Sequence, residues 1–271
     1  MTGRLVVCPT PIGNLEDVTL RVLAALREAD VVACEDTRRT RILLDRYGVK
    51  ARLVSYHEHN EQARSAELVE RMRDGGVVAL VSDAGMPLVS DPGYVLVRAC
   101  VGAGLPVEVL PGPSAAITAL VASGLPADEW VFHGFLPRKR GELRRLLESA
   151  HGTLVAFESP RRVPATLALL AELDGSRELA LCRELTKAHE EIVRGSAAEL
   201  AARYAETPPR GEVVLVLGPR AVPAGEDEPA AVDALRRLVD AGAHPRKAAG
   251  VVAELTGGSA NALYRALTSG D

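Results

Sequence analysis

Apolar runs of four or five residues recur along this chain, each followed by a polar, Gly- or Pro-containing loop and then by a stretch with helical spacing. The runs at 5–8, 31–34, 53–56, 77–81 and 107–110 are short and almost continuously apolar, which predicts buried strands. Helical patterns lie between them. One from about Val18 brings Val22, Leu23 and Leu26 to a common side, the next ends at Gly48, a residue type suited to the left-handed position after a helix, and a third runs to Gly75. Such alternation predicts parallel βαβ units and a largely parallel sheet.

After Gly124-Leu125-Pro126 the alternation resumes, with strands expected at 130–135, 153–157, 178–182 and 213–217 and a capping box, Ser196-x-x-Glu199, opening the last helix of that half. Residues 219–229 are rich in Pro, Gly and acid and read as a linker. Residues 230–271 carry only helical patterns, with Pro245 at a helix start and Gly257-Gly258 as a break. The organisation expected is an α/β domain over 1–117, a second over 118–218, the linker 219–229 and a small helical module over 230–271.

Hydrophobic residues make up 47% of the 271 and aromatic residues only 3%, so the cores must be packed from Val, Leu and Ala. No apolar run reaches the roughly 18 residues of a membrane span, and Met1-Thr2-Gly3-Arg4 leads into a strand rather than a secretion signal, which points to the cytoplasm. Cys8, Cys34, Cys100 and Cys182 stand far apart in apolar runs and are expected as buried free thiols. The net charge of −4 argues against a nucleic-acid coat protein, but the charge is uneven. Arg38-Arg39-Thr40-Arg41, Arg138-Lys139-Arg140 with Arg144-Arg145, and Arg161-Arg162 form basic clusters after expected strands, either solvated surface or contacts to a polyanion.

The candidate chemistry lies in the loops. Leu80-Val81-Ser82-Asp83-Ala84-Gly85-Met86-Pro87 passes from a strand into a segment rich in Asp, Gly and Pro; Asp91-Pro92 reads as an N-cap and first helical residue, so a helix is expected to restart near Pro92. The loop lies beyond the carboxyl end of a strand, where open α/β sheets bind ligands. No P-loop or full dinucleotide glycine motif occurs, and Asp83 and Asp91 would repel a phosphate. An Ala84-Gly85 floor flanked by carboxylates instead suits a cationic or hydroxyl-bearing small molecule. Glu35-Asp36, His57-Glu58-His59, Ser114, Glu158-Ser159 and Arg183-Glu184-Leu185-Thr186-Lys187 fall in the same position after strands of both halves, which predicts a functional cleft between two sheets. His57 and His59 lack the spacing of a helical zinc motif and have no cysteine nearby, so no metal is expected; no Ser-hydrolase elbow occurs either.

Seven segments together carry a family resemblance. Cys8-Pro9-Thr10-Pro11-Ile12-Gly13-Asn14-Leu15, Cys34-Glu35-Asp36-Thr37-Arg38, His57-Glu58-His59-Asn60-Glu61 and Ser82-Asp83-Ala84-Gly85-Met86-Pro87 are four of them. Pro111-Gly112-Pro113-Ser114-Ala115-Ala116, Gly134-Phe135-Leu136-Pro137-Arg138-Lys139 and Arg183-Glu184-Leu185-Thr186-Lys187 complete the series. In order and over about 4–218, the set resembles the small-subunit ribosomal RNA methyltransferases of the tetrapyrrole-methylase fold class. The resemblance implies two α/β domains with S-adenosylmethionine in the cleft between them, a homodimer, and 2′-O-methylation of a cytidine ribose in the decoding region of 16S ribosomal RNA within the small subunit. It implies that Pro11, Asp83, Ala84, Gly85, Met86, Ser114, Ala115, Glu158, Leu185, Gly211 and Glu212 contact the cofactor. Met86 stands where this subfamily is expected to carry a small hydroxyl residue. Acid and base positions of the wider fold class fall near Glu35 and His57.

Methyl transfer to a ribose hydroxyl gains from alignment of donor and acceptor and from a base in reach of the hydroxyl. Glu35, Asp36, His57 and Lys187 are the candidates; Lys187 qualifies only with a depressed pKa and is otherwise a phosphate or alkoxide partner. Glu35 or Asp36 serves equally well as the N-cap of the helix near Thr37. Arg38, Arg39, Arg138, Lys139, Arg140, Arg161 and Arg162 are assigned to RNA phosphates. Two other classes share part of the pattern: a tetrapyrrole C-methyltransferase with the same cofactor cleft, and an RNA-binding assembly factor without catalysis. The C-terminal helices are expected to form a minimal core from Leu235, Leu238, Val239, Val251, Val252, Leu255, Leu263 and Leu267, and their excess of Arg and Lys marks a docking module.

Overall fold

The computed structural model describes residues 3–220, 228–256 and 260–268, so most of the expected linker and the Gly257-Gly258 break lie outside the described residues. The chain forms two compact units, Met1–Pro219 and Arg220–Asp271.

The first unit opens with β1 (Arg4–Cys8), α1 (Leu20–Glu28), β2 (Val31–Cys34), α2 (Thr37–Arg46), β3 (Leu53–Ser55), α3 (Glu61–Arg73), β4 (Val77–Val81), α4 (Tyr94–Gly102), β5 (Val107–Val109) and α5 (Ala115–Ser123). The five strands form a sheet of order β3-β2-β4-β1-β5, parallel throughout. Both faces are covered, which is why these strands read as apolar runs rather than alternating ones. Val6, Cys8, Val32, Ala79 and Val81 pack with Val22, Leu23 and Leu26 of α1 on one face, while Leu5, Val7, Val78 and Leu80 pack with α3 and α4 on the other. Thr19 caps α1 by accepting from the Val22 amide, and Gly48 takes the left-handed conformation (φ 60°) just after α2. The α4 helix corrects one expectation. Its N-cap is Gly93 (φ 140°) and its first residue Tyr94, so Asp91 does not cap it.

The second half contains β6 (Trp130–Phe135), α6 (Arg140–Ser149), β7 (Thr153–Glu158), α7 (Val163–Asp174), β8 (Glu178–Arg183), β9 (Glu191–Ser196), α8 (Ala197–Tyr204) and β10 (Val213–Leu217). Its sheet has the order β6-β7-β10-β8-β9 and is mixed: β6 and β7 are parallel, whereas the β10 pairings with β7 and β8 and the β8–β9 pairing are antiparallel. The sequence reading anticipates neither β9 nor this reversal. Ser196 closes its capping box with Glu199, the hydroxyl accepting from the Glu199 amide and the carboxylate accepting from the Ser196 amide. Antiparallel β10 has a functional consequence, because its N-terminal residue Val213 pairs with both Glu158 and Arg183, bringing Gly211-Glu212 to the edge where β7 and β8 end.

The two sheets meet through α5. Ala116, Ala119 and Leu120 of that helix pack with Ile12 against Val155, Ala180, Cys182, Leu185, Val214 and Val216 of the second sheet. The boundary expected after residue 117 therefore falls inside a helix that packs on the second half. Gly13 marks the closest approach: a Cβ there would lie 2.5 Å from Lys187 Cγ, and the neighbouring Asn14 amide donates to Thr186 Oγ1 at 3.0 Å.

All four cysteines are buried and free, and burial pushes the Cys8 thiol up to about 12. The second unit contains α9 (Glu228–Asp240), α10 (Pro245–Thr256) and α11 (Ala260–Thr268). Leu235, Val252 and Leu263 are buried with Ala231, Ala248, Ala249 and Ala253, and Val239 and Leu267 pack at the margin. Leu238, Val251 and Leu255, expected in this core, are exposed; alanines bring the helices together instead. No helix among the described residues is long and apolar enough to cross a membrane.

Candidate active site

The loops after β1 and β4 are tied to one another. Thr10 and Gly85 exchange backbone hydrogen bonds (2.8 and 2.9 Å), the Thr10 hydroxyl donates to the Ser82 carbonyl at 3.0 Å, and the Ser82 hydroxyl donates to the Gly85 carbonyl at 3.0 Å. Gly85 holds φ 79°, and a Cβ there would approach Ile12 Cγ2 at 3.3 Å. The chain then passes Leu88 (φ 72°) and Ser90 (φ 65°), left-handed positions that are costly for residues with a side chain and hold this loop in a defined path.

Beside this loop lies a cavity of about 300 Å³ reached by residues of both halves. Ala84, Gly85, Met86, Ser114 and Ala115 line it from the first sheet, and Glu158, Leu185, Gly211 and Glu212 from the second. Ser114 stands at the N-cap of α5 without capping it, which leaves its hydroxyl for a ligand beside the helix N-terminus. Gly211 (φ 83°) is required by close packing, since a Cβ would sit 2.3 Å from the Glu184 carboxyl group. Pro11 and Asp83, expected at the cofactor, are not in the lining. Pro11 is buried before Ile12, and the Asp83 carboxylate accepts from the Asp36 amide at 2.9 Å and pairs with Arg39 at 3.5 Å.

None of Glu35, Asp36, His57 and Lys187 lines this cavity. Asp36 caps α2 through the Arg38 amide and is gripped by the Arg38 guanidinium, which holds its carboxyl down at about 2. Burial raises the Glu35 pKa, with Asp83 and Glu58 adding to the rise and Arg39 and His57 opposing it. His57 approaches Asn60 through Nε2 and leaves Nδ1 buried without a partner. Lys187 does not meet the condition for a base. Burial disfavours its ammonium, but hydrogen bonds to Glu184 (2.8 Å) and Glu212 (2.9 Å) outweigh burial and hold its pKa above the ordinary lysine value. It faces a separate open groove with Asn14 and Thr186. Among the described residues no group of three or more His, Cys, Asp or Glu is placed to hold a metal.

The basic residues divide. Arg162 donates to the carbonyls of Leu136 and Pro137 and pairs with buried Glu158 at 3.3 Å, so it braces the loop after β6 rather than standing free for RNA. Glu158 also accepts from Thr166 Oγ1 and the Ser159 amide, which commits both its oxygens internally. Lys139 and Arg140 are exposed but paired with Glu142 and Glu172, and Arg38 and Arg39 with Asp36 and Asp83. Arg138 and Arg161 are exposed.

Among the lining residues, an aromatic pair escapes the sequence reading and one carboxylate is read only in part. Phe135, 62% exposed, and Phe157 meet edge to face with centroids 5.5 Å apart at the cavity. Asp91, read both as a helix cap and as one of the carboxylates flanking the Ala84-Gly85 floor, lines the cavity; burial, then the charges of Glu35 and Asp83, push its carboxyl up to about 7. The available signal is a repeat, Ser82-Asp83 and Ser90-Asp91, within one loop.

Residues 4–201 match the Tetrapyrrole (Corrin/Porphyrin) Methylases, and residues 226–270 match the RsmI C-terminal HTH domain. The Ribosomal RNA small subunit methyltransferase I of Mesorhizobium japonicum is 49% identical over 97% of this chain and 90% of its own length. The chain belongs to the ribosomal RNA small subunit methyltransferase I family of tetrapyrrole methylases. Other tetrapyrrole methylases share the two-sheet body. The uroporphyrin-III-C-methyltransferase of Thermus thermophilus superposes with a TM-score of 0.56 at 26% identity, covering 80% of this chain and 94% of that one. A Thermus thermophilus uroporphyrin III C-methyl transferase complexed with S-adenyl homocysteine superposes with the same TM-score at 23% identity, covering 80% of this chain and 97% of that one.

Proposed function

We propose that the protein is an S-adenosylmethionine-dependent methyltransferase of small-subunit ribosomal RNA that acts on the 2′-hydroxyl of a cytidine ribose in the decoding region of 16S RNA. The observation that carries this reading is a cavity lined by loops of both sheets, with Gly85 and Gly211 in its wall, in a member of this methylase family. The residues present fit the cofactor. The Asp91 carboxylate makes the lining favourable to a cation, the free Ser114 hydroxyl at the α5 N-terminus suits a carboxylate, and Ile12, Leu185, Phe157 and Val214 offer apolar surface. When bound, the cofactor supplies an electrophilic methyl group on a sulfonium. The chain holds that group and the ribose hydroxyl in line, which in favourable cases supplies on the order of 7–11 kcal/mol of the barrier reduction.

Of the cofactor contacts proposed from the resemblance, Ala84 to Met86, Ser114, Ala115, Leu185, Gly211 and Glu212 act at the cavity; Asp83 acts by orienting the chain beside it. Exposed basic residues attract the RNA, and the C-terminal unit docks on the ribosomal substrate in the cytoplasm. A homodimer accords with exposed Ile117 and Val121 one turn apart on α5, and light scattering of the purified protein is expected to give twice the chain mass.

Mass spectrometry of 16S RNA from cells lacking the protein is expected to show one cytidine without its ribose methyl group, restored by the purified protein and S-adenosylmethionine. Methyl transfer to a tetrapyrrole instead of to small subunits overturns the reading. For the RNA face, replacing Arg138 and Arg161 by alanine is expected to weaken RNA binding and to reduce its salt slope by about 1 to 2, with cofactor affinity intact. An unchanged slope returns both residues to plain surface.

A further inference from the structure

The cavity has three acidic residues in its lining, and they differ in what they already hold. Glu158 accepts from Thr166 and Ser159 and pairs with Arg162; Glu212 pairs with Lys187 at 2.9 Å. Asp91 has no hydrogen bond or ion pair within the described residues, so it is the lining carboxylate left to act on a ligand. Its backbone is fixed between Ser90, at φ 65°, and Gly93, at φ 140°, so the carboxylate is presented by a constrained turn rather than by a mobile tip.

We infer that Asp91 is the group that accepts the proton of the ribose 2′-hydroxyl during methyl transfer, an inference that rests on the methyltransferase reading above. The ribose oxygen forms its new bond to the methyl carbon and loses its proton to an Asp91 carboxylate oxygen. The electron pair of the broken carbon–sulfur bond remains on the donor sulfur, which becomes neutral, and Asp91 later releases the proton to solvent. Charge at the site suits this task. Glu35 and Asp83 face Asp91 from the loops after β2 and β4, with Arg39 paired to Asp83 and with His57 and Glu58 acting on Glu35. Glu158 and Glu212 line the same cavity from the second half, each beside its own cation. Burial first, and then the charges of Glu35 and Asp83, make Asp91 a stronger base than an ordinary aspartate, with a pKa of about 7, close to working pH.

The test uses the full-length protein and small subunits from cells lacking it, with kcat and kcat/KM measured across pH. The wild-type kcat/KM is expected to rise with pH and level above about 7, and kcat to rise over a lower interval because the bound sulfonium cation favours the Asp91 carboxylate. Asp91→Asn is expected to lower kcat by about 10²–10⁴-fold with S-adenosylmethionine affinity nearly unchanged by calorimetry. Glu35→Gln removes one of the charges that raise Asp91 and is expected to move the ascending limb to lower pH. The cofactor-free proteins supply a reading independent of activity. A carboxyl with pKa about 7 in the folded state and the ordinary lower value when unfolded costs stability as pH rises through the interval between them. Asp91→Asn should therefore melt above wild type at pH 8, the gap closing as pH falls toward 4. An Asp91→Asn enzyme with wild-type kcat, or one whose loss disappears at saturating cofactor, overturns the proposal, as does the absence of a pH-dependent melting gap. A Glu35→Gln enzyme that loses as much as Asp91→Asn was expected to lose, while Asp91→Asn stays active, moves the role to Glu35. If wild type fails to methylate small subunits, the methyltransferase reading falls and takes this inference with it; if wild type is active and Asp91→Asn is too, only the inference falls.

Discussion

Gly85→Val is expected to abolish S-adenosylmethionine binding while the protein stays folded. Two effects act together. Gly85 sits at φ 79°, where a β-branched residue carries strain of about 1–3 kcal/mol, and its Cβ would already lie 3.3 Å from Ile12 Cγ2. The branched methyls add to the crowding of Ile12, which itself lines the cavity of about 300 Å³ proposed for the cofactor. Relief by moving the backbone is blocked, because Gly85 is tied to Thr10 by two backbone hydrogen bonds and to Ser82 by a third. Calorimetry should detect no binding, while circular dichroism shows the body intact and a Tm lower by several degrees. Gly85→Ala separates the two effects: it bears the same backbone strain but fills little space, so it should lose stability with measurable affinity retained. Undiminished binding by the valine variant would show that this loop is not the floor of the cofactor site.

Leu80 to Pro87 shows both the strand and the glycine beyond it in the sequence alone. Strands of a doubly covered parallel sheet appear as apolar runs, and all of β1 to β5 were recoverable that way. The second sheet hides more. An apolar run does not state its direction, so the antiparallel setting of β10, which carries Gly211 and Glu212 into the cavity, follows only from the pairing of Val213 with Glu158 and Arg183. Edge strand β9, Glu191-Ile192-Val193-Arg194-Gly195-Ser196, has a single fully buried apolar residue and leaves almost no pattern to detect. Charge states were further out of reach. Lys187 is held protonated partly by Glu212, 25 positions away, and Arg162 is held by carbonyls 25 and 26 positions earlier. Only the helix-cap reading of Asp91 fails, and for a local reason. Asp-Pro commonly opens a helix, but here Pro92 is followed by a glycine at φ 140°, which delays the helix to Tyr94 and turns the aspartate toward the cavity instead.

Truncation after Gly218 should leave the cofactor site working and the enzyme poor at its ribosomal substrate. The cut preserves β10 and Gly218, whose carbonyl accepts from the buried Arg177 guanidinium at 2.8 Å, so the last strand keeps its anchor. The two units have separate apolar cores, and the C-terminal one is small and built largely from alanine. Such a core gives α9 to α11 little independent stability, which favours a role fulfilled on a partner over one in catalysis. Its surface carries Arg236, Arg237 and Lys247, and Arg246 lies over the Tyr264 ring at 5.3 Å. A tethered module raises the effective concentration of the body at its target, a gain on the order of 10²-fold when both modules engage. Its removal should therefore raise KM for small subunits by about that factor and leave kcat largely unchanged, with weaker salt dependence than the full chain. Calorimetry should return the full-length affinity for S-adenosylmethionine. A truncated enzyme that keeps the full-length KM would remove the docking role; one that keeps KM and loses kcat would assign the C-terminal unit to the catalytic assembly itself.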